Sequence, residues 1–533
     1  MKHGSDDYFD GPGQLLIKVA PSVTRGRGLS LDGSDLKVRP LCPNETSGNT
    51  LGMSSNPRWH VAELGQAGMT NRDLWEAAHR AAETPAFAGA AIEPDLVQRW
   101  DYTNPITTSA GLGAAPGDLC EFTEQDDAFP LGPSFAWHLG DTYSQLKSAR
   151  DQLATNTNRV RIGILDTGLD PRHVTLPKNT LLNLARNFVN DGQAGNDVSD
   201  PYERGLLNNP GHGTGTLSLL AGNLFANAFG GGVFNDYIGG APNAEILPIR
   251  IATSVILFRT SAFAEGLDYL IAPNGNAGDR VDVVSMSMGG LASQAWADVV
   301  NRAYEAGITI VTAAGNNIFV SPKEIVYPAR FNRVIAACGV MANGQPYTRE
   351  FVPLLKMAGN CGPKRKMNTA LSAYTPNTSW AEINCKNLVD MDGAGTSSAT
   401  PQIAAAAALW LQKNKAALAG LLPWQVVEAV RWALFSSAKQ PPAKYVDSIG
   451  RGILQAAAAL KVKVNTKLNV TPADNVDFAL LKVLFGGPGI AAGGSQLLQL
   501  ELAQTIQRNA ALSKKYAEIT DSGNPIGADD QRW

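Results

Sequence analysis

Nothing in the sequence is suited to a bilayer. No apolar run reaches transmembrane length without a glycine, a proline or a charge interrupting it, and the IAAAAALWL stretch is too short. The first residues, MKHGSDDYFDGPGQ, are polar and lack the apolar segment of a secretory signal. Positive charge is not in excess either: 45 Lys and Arg stand against 48 Asp and Glu, with no polybasic tract, so nucleic acid is not an implied partner. Cysteine is scarce. The five in 533 residues (Cys42, Cys120, Cys338, Cys361 and Cys385) are odd in number and have no zinc-like spacing. That usage predicts reduced thiols in a cytoplasmic protein, with secretion by a route lacking a conventional signal left open. No repeat at solenoid spacing is present.

What is there divides into four parts. Residues 1–100 hold strand-like QLLIKVA and RWHVAEL, a helix-like TNRDLWEAAHRAAET with Thr70 or Asn71 as its cap, and a further strand, AAIEPDLVQRW. They predict a small α+β module. Residues 101–135 are rich in glycine, proline and acids, and read as a linker. From 136 to 460 apolar strand-like runs (RVRIGILD, AEILPIRI, VDVVSMSM, ITIVTAAG, RVIAACGV) alternate with helical patterns. Such runs between helices predict a parallel sheet covered on both faces, an α/β fold of three layers. Residues 461–533 form a C-terminal extension with one helix expected over Ser495–Ile519, which has Leu497, Leu500 and Leu512 on overlapping faces. The 341–392 stretch, with basic PKRK and two cysteines, reads as a surface insertion.

Three short motifs carry chemistry. GTSSATP places Ser397 among small residues at the mouth of a helix. Unpaired N–H groups and the dipole there favour developing negative charge. Pro401 is expected to cost little so early in the helix. Alone, such a serine is more often an N-cap. GHGTGT sets His212 between glycines at the start of a second small-residue helix, and IGILDTGLD ends an apolar strand on Asp166. Carboxylates at the C-terminal ends of parallel strands lie where open α/β sheets build their sites, although D-T-G also makes a good turn. The order Asp, His, Ser is one of the known triad orders.

On these residues the chain resembles the subtilisin-like serine proteases, the subtilases, over about 137–460. The likeness is carried by DTG at Asp166, HGT at His212, GTSxAxP at Ser397, SMGG at 287–290 and AAGNN at 313–317. It implies a serine endopeptidase in which Ser397 attacks, His212 takes the proton and Asp166 orients the imidazole. Asn316 and the Ser397 N–H would hold the oxyanion, and activity would fall at acid pH as His212 protonates. An extended peptide substrate would pair with Ser287, Met288 and Gly289. Ala314, Gly315 and Val326 would line the pocket for the residue before the scissile bond, with Val326 making it shallow and favouring small or medium apolar groups. No cofactor is required for the chemistry. A structural calcium is an open expectation at 223–237, where Asp236 is the only carboxylate.

By the same resemblance the N-terminal module is a prodomain, an intramolecular inhibitor cleaved off within 101–135, so that the chain is a zymogen. The rival for the module is a domain that recruits substrate. For the whole chain, one rival is a catalytically silent, protease-like binding module held by its N-terminal segment. Another is an aspartic protease using DTG at Asp166 and DSG at Asp521, but Asp521 lies in a polar tail without a matching strand pattern.

Overall fold

Aliphatic and β-branched runs make strands that are buried on both faces, and six such segments, with the short polar Arg186–Asn187 at one edge, form one parallel sheet. The computed structural model describes residues 12–20, 29–46, 57–98, 120, 135–189, 192–202, 210–229, 232–255, 258–317, 323–352, 355–476 and 494–522. Nearly all of the predicted linker, the DFALLKVLFGG run and the polar tail beyond Ser522 lie outside them. The strand order is Ala370–Tyr374, Val334–Val340, Thr309–Ala313, Val283–Met286, Arg161–Asp166, Glu245–Arg250 and Arg186–Asn187. Every ladder between neighbours is parallel.

Alternate side chains along each strand enter opposite cores. Val284, Ile310 and Val334 pack with the helices Thr260–Ile271 and Gln294–Glu305. Val283, Val311 and Ile335 pack with the helices His212–Ala221, Gly395–Asn414 and Pro423–Ser436. The result is the three-layer α/β architecture expected from the sequence.

The N-terminal residues form a four-stranded antiparallel sheet, ordered Lys37–Pro40, Arg58–Ala67, Pro12–Val19 and Ala91–Pro94. One helix, Asn71–Glu83, packs on it. Its cap is Thr70, in a reciprocal capping box with Asp73. Leu15, Trp59 and Leu74 of this module share a continuous apolar core with the Thr260 and Gln294 helices of the main domain.

Three expectations are corrected. The 341–392 stretch is no surface insertion: Ala370–Tyr374 is a strand of the central sheet, and the hairpin Thr378–Ala381 with Val389–Gly393 is buried throughout. The C-terminal helix is two helices, Gly494–Arg508 and Ala510–Ser522. Asn509 breaks it, because its side-chain oxygen accepts from the backbone of Ala511 and Leu512 at 3.0 Å and so caps the second helix. Finally, not every thiol is reduced, since Cys120 and Cys385 are joined in a disulfide. No helix among the described residues is long and apolar enough to cross a membrane.

Candidate functional site

Asp166 ends its strand at the carboxyl edge of the sheet, and His212 opens its helix beside it. The imidazole Nδ1 lies 2.7 Å from Asp166 Oδ1, and both side chains are buried. The other carboxylate oxygen accepts from Thr216 Oγ1 at 2.9 Å, one turn along the same helix. This approach depends on Gly213, where a Cβ would stand 1.9 Å from the Gly168 carbonyl oxygen. His212 Nε2 is buried and makes no hydrogen bond among the described residues.

Ser397 sits in the first turn of Gly395–Asn414. The chain enters this helix through Gly395 at φ +75°, where a side chain would meet Asn316 Nδ2 at 2.9 Å. Pro401 has more consequence here than its early position suggests. It has no N–H, so the carbonyl four residues earlier, that of Ser397, loses its helical donor. Ser287 Oγ donates to that carbonyl instead, at 2.9 Å, while Ser397 Oγ donates to Ser287 O at 3.2 Å. The two serines thus lock strand and helix together. Next to them Thr396 N donates to Asn316 Oδ1 at 3.0 Å, which directs the Nδ2 end of the amide as the donor.

The remaining expected residues also gather here. Gly290 and Tyr327 exchange backbone hydrogen bonds of 2.7 and 3.1 Å, tying the 287–290 segment to the 326–327 segment. Val326 packs on Leu291, and a Cβ on Gly289 would come within 2.2 Å of its methyl group. Val326 N donates to Ala314 O at 3.0 Å, and Gly315 faces the other Val326 methyl. Met288 is buried beside them. Asp521, by contrast, falls in the last turn of the second C-terminal helix.

Three supporting residues are new. Asp200 Oδ2 accepts from Thr167 Oγ1 at 3.2 Å and from Gly211 N at 2.8 Å, bracketing the two motifs that carry Asp166 and His212. Burial pushes its carboxyl up despite these donors. Trp380 lies 5.7 Å from the His212 ring, edge to face. Asn360 takes Gly315 O through its backbone N–H at 2.8 Å. None belongs to a motif. Asp200 stands 12 residues before His212, and Trp380 lies in the hairpin read as insertion. That hairpin also carries Glu382, Asp390 and Asp392, and burial followed by repulsion within the group raises Glu382 and Asp392 well above the usual carboxylate range. As for calcium, Asp236 is held by Lys147 at 2.9 Å and Arg150 at 2.8 Å, two positively charged side chains that occupy the carboxylate in place of a metal ion and do not fit a calcium site.

The N-terminal module reaches the neighbourhood of the 287–290 segment. Val97 and Gln98 pair antiparallel with Phe258 and Arg259, and Gln98 Oε1 accepts from Leu291 N at 2.7 Å, just past the 287–290 segment. Two carboxylates of the module cap main-domain helices. Glu93 accepts from Ser293 Oγ, Gln294 N and Ala295 N at 2.7, 2.9 and 3.2 Å. Asp95 accepts from Ser261 N and Oγ at 2.8 Å. Burial pushes Glu93 up to about 7. Glu265, buried against Arg39 of the module, is pushed to about 7 as well.

Residues 157–458, more than half of the chain, match the Subtilase family, peptidase S8. Subtilisin DY of Bacillus licheniformis is 30% identical over 258 residues, 48% of this chain and 77% of that protein. Subtilisin E of Bacillus subtilis is 26% identical over 275 residues, 51% of this chain but only 60% of that protein. The minor extracellular protease Epr of Bacillus subtilis is 27% identical over 334 residues, 62% of this chain and 44% of that protein.

Proposed function

Because the chain belongs to the subtilase family of serine peptidases, we propose that it is an endopeptidase working through Asp166, His212 and Ser397. The observation that carries this is the buried His212 with Nδ1 fixed by Asp166 at 2.7 Å and Nε2 left without a partner among the described residues. Such an imidazole has one proton held in place and one lone pair aimed away from the carboxylate, which is what a general base for a neighbouring hydroxyl needs. In this reading Ser397 Oγ leaves its bond to Ser287 O, attacks the scissile carbonyl and passes its proton to Nε2. The Asn316 amide and the Ser397 N–H, at a helix start, receive the oxyanion. An extended peptide adds a strand along Ser287, Met288 and Gly289. The Val326 side chain, close against Gly289 and Gly315, limits the adjoining pocket to small or medium apolar groups.

The N-terminal module is then the inhibitor of the uncut chain. Its last described strand, Val97–Gln98, pairs with Phe258–Arg259 and reaches Leu291 through Gln98, beside the segment that substrate would use, and its Glu93 and Asp95 caps hold it there. The name of Epr, and the Cys120–Cys385 bond, favour an oxidising compartment over the cytoplasm expected from the cysteine count.

A fluorophosphonate probe tests the reading. Labelling of the mature protein that vanishes in Ser397→Ala, with a new N-terminus appearing beyond residue 98, is the expected result. No labelling after the module has been removed would mean a silent binding module instead.

A further inference from the structure

We propose that the two C-terminal helices are a clasp that fastens the N-terminal module onto the main domain, so that the module cannot leave the cleft without unseating them. The regulatory meaning rests on the reading of the module as inhibitor, whereas the coupling itself does not.

The contacts fall on one stripe of the Gly494–Arg508 helix. Leu497, Leu500, Gln504 and Gln507 recur at helical spacing and are all buried. Leu497, Leu500 and Ala503 enter the apolar core that joins the module to the main domain. Gln504 Nε2 donates to Ala292 O at 2.8 Å, and Gln507 Oε1 accepts from Ala292 N at 2.8 Å. Two carboxamides three residues apart thus take both polar groups of one main-domain residue. That residue lies between Leu291, held by Gln98 of the module, and Ser293, held by Glu93 of the module. On the module side, Glu501 Oε2 meets His79 Nε2 at 2.8 Å.

The Ala510–Ser522 helix adds a second point of attachment. Its Ser513 hydroxyl, buried, donates to Glu324. Arg330 lies over the rings of both Tyr516 and Tyr327, at 5.7 and 5.9 Å. The helices therefore touch the continuation of both cleft walls, 287–291 and 326–327, as well as the module. Withdrawing the module would strip partners from Leu497 and Leu500. Lifting the helices would in turn strip the module of apolar cover and loosen the 291–293 segment it grips. Two events that each uncover the other's buried surface are coupled, and the coupling is reciprocal.

Hydrogen exchange on the full chain carrying Ser397→Ala, which stays uncut whatever its activity, tests this. Leu497→Asp with Leu500→Asp places two charges in the shared core. The expected result is about tenfold faster exchange in the Arg58–Ala67 strand and the Asn71–Glu83 helix of the module, with Val283–Met286 of the central sheet unchanged. Gln504→Ala with Gln507→Ala should act in the same direction, and decides the matter by the same criterion if the aspartate chain fails to fold. Deprotection confined to residues 494–522, or no change in the module, overturns the clasp. Neither outcome bears on the catalytic reading, which the fluorophosphonate probe decides.

Discussion

Raising the pH from 5 to 8 is expected to loosen the N-terminal module, and Glu93→Gln should remove much of that effect. Docking buries Glu93 completely beside the N-terminus of the Gln294–Glu305 helix. Desolvation outweighs the three donors it meets, with nearby Asp298 adding repulsion, and its carboxyl rises from an ordinary 4.5 to about 7. At about 1.4 kcal/mol for each pH unit of displacement, the docked anion is disfavoured by about 3 kcal/mol. The sign follows from proton counting. Below about 4.5 both the docked and the free carboxyl hold a proton, and pH has no leverage. Between there and about 7 only the docked form holds it, so each rise in pH favours the free state. By pH 8 the loss from this residue reaches about a hundredfold in the docking equilibrium. Glu265 acts in the same direction: burial carries it to about 7, with Asp95 and Asp268 adding to the rise and Arg39 opposing it. The assay is urea titration of the Ser397→Ala chain at pH 5, 6, 7 and 8, followed by tryptophan fluorescence. Trp59, whose indole donates to Asp298 at 2.8 Å across the interface, reports the module. The midpoint of the module's transition should fall with pH, less steeply in Glu93→Gln. A midpoint that is flat or rises with pH, or a fall of equal slope in both chains, refutes the reasoning.

Other outcomes are expected from the site itself. Asn316→Ala should lower kcat by ~10²–10³ with little change in KM, the range known for such a donor in a subtilisin and so not an independent estimate. Gly215→Ala would put a Cβ 1.9 Å from the Trp380 ring. It should cost about 1–3 kcal/mol in a thermal melt and lower activity as the ring shifts on His212; an unchanged Tm and rate would contradict the packing argument. Val326→Ala should enlarge the pocket beside Gly289 and shift preference towards larger apolar side chains by ~10–200-fold in kcat/KM, read from a panel of peptides. Asp392→Asn removes a buried carboxyl whose raised protonation makes the fold lose stability as pH climbs. Its melting temperature should therefore gain more at pH 8 than at pH 5.

The central strands were legible because burial on both faces leaves continuous apolar runs such as the IGIL of RIGILD and the VV of VVSM, a pattern that alternating edge strands lack. Asp166, His212 and Ser397 stand out in the sequence because each lies among glycines and small residues, and Gly213 and Gly395 occupy positions where a side chain would collide with Gly168 and Asn316. Glu93 and Asp95 do not stand out. In a strand-like stretch an acid normally faces water, and their value as caps exists only once the N-termini of two distant helices are brought beside them. The same applies to Gln504 and Gln507, whose partner is one backbone unit more than 200 residues earlier. The 341–392 stretch misled because its polar turns conceal a strand of the sheet and the hairpin that bears Trp380. Pro401 was read by position alone, whereas its effect is on the carbonyl of Ser397.

The bond between Cys120 and Cys385 acquires a further meaning once the chain is severed. Cys385 sits at the tip of the hairpin that runs down to Trp380 and then to the helix that carries Ser397. A break anywhere between Gln98 and Cys120 would end the covalent tie of everything upstream, yet Cys120 would stay moored by a sulfur stitch. A second break before Phe135 would leave a short remnant riding on the ripened enzyme. It would be invisible to sequencing of the main fragment and would drop away, as a discrete loss of mass, only when a reductant is added.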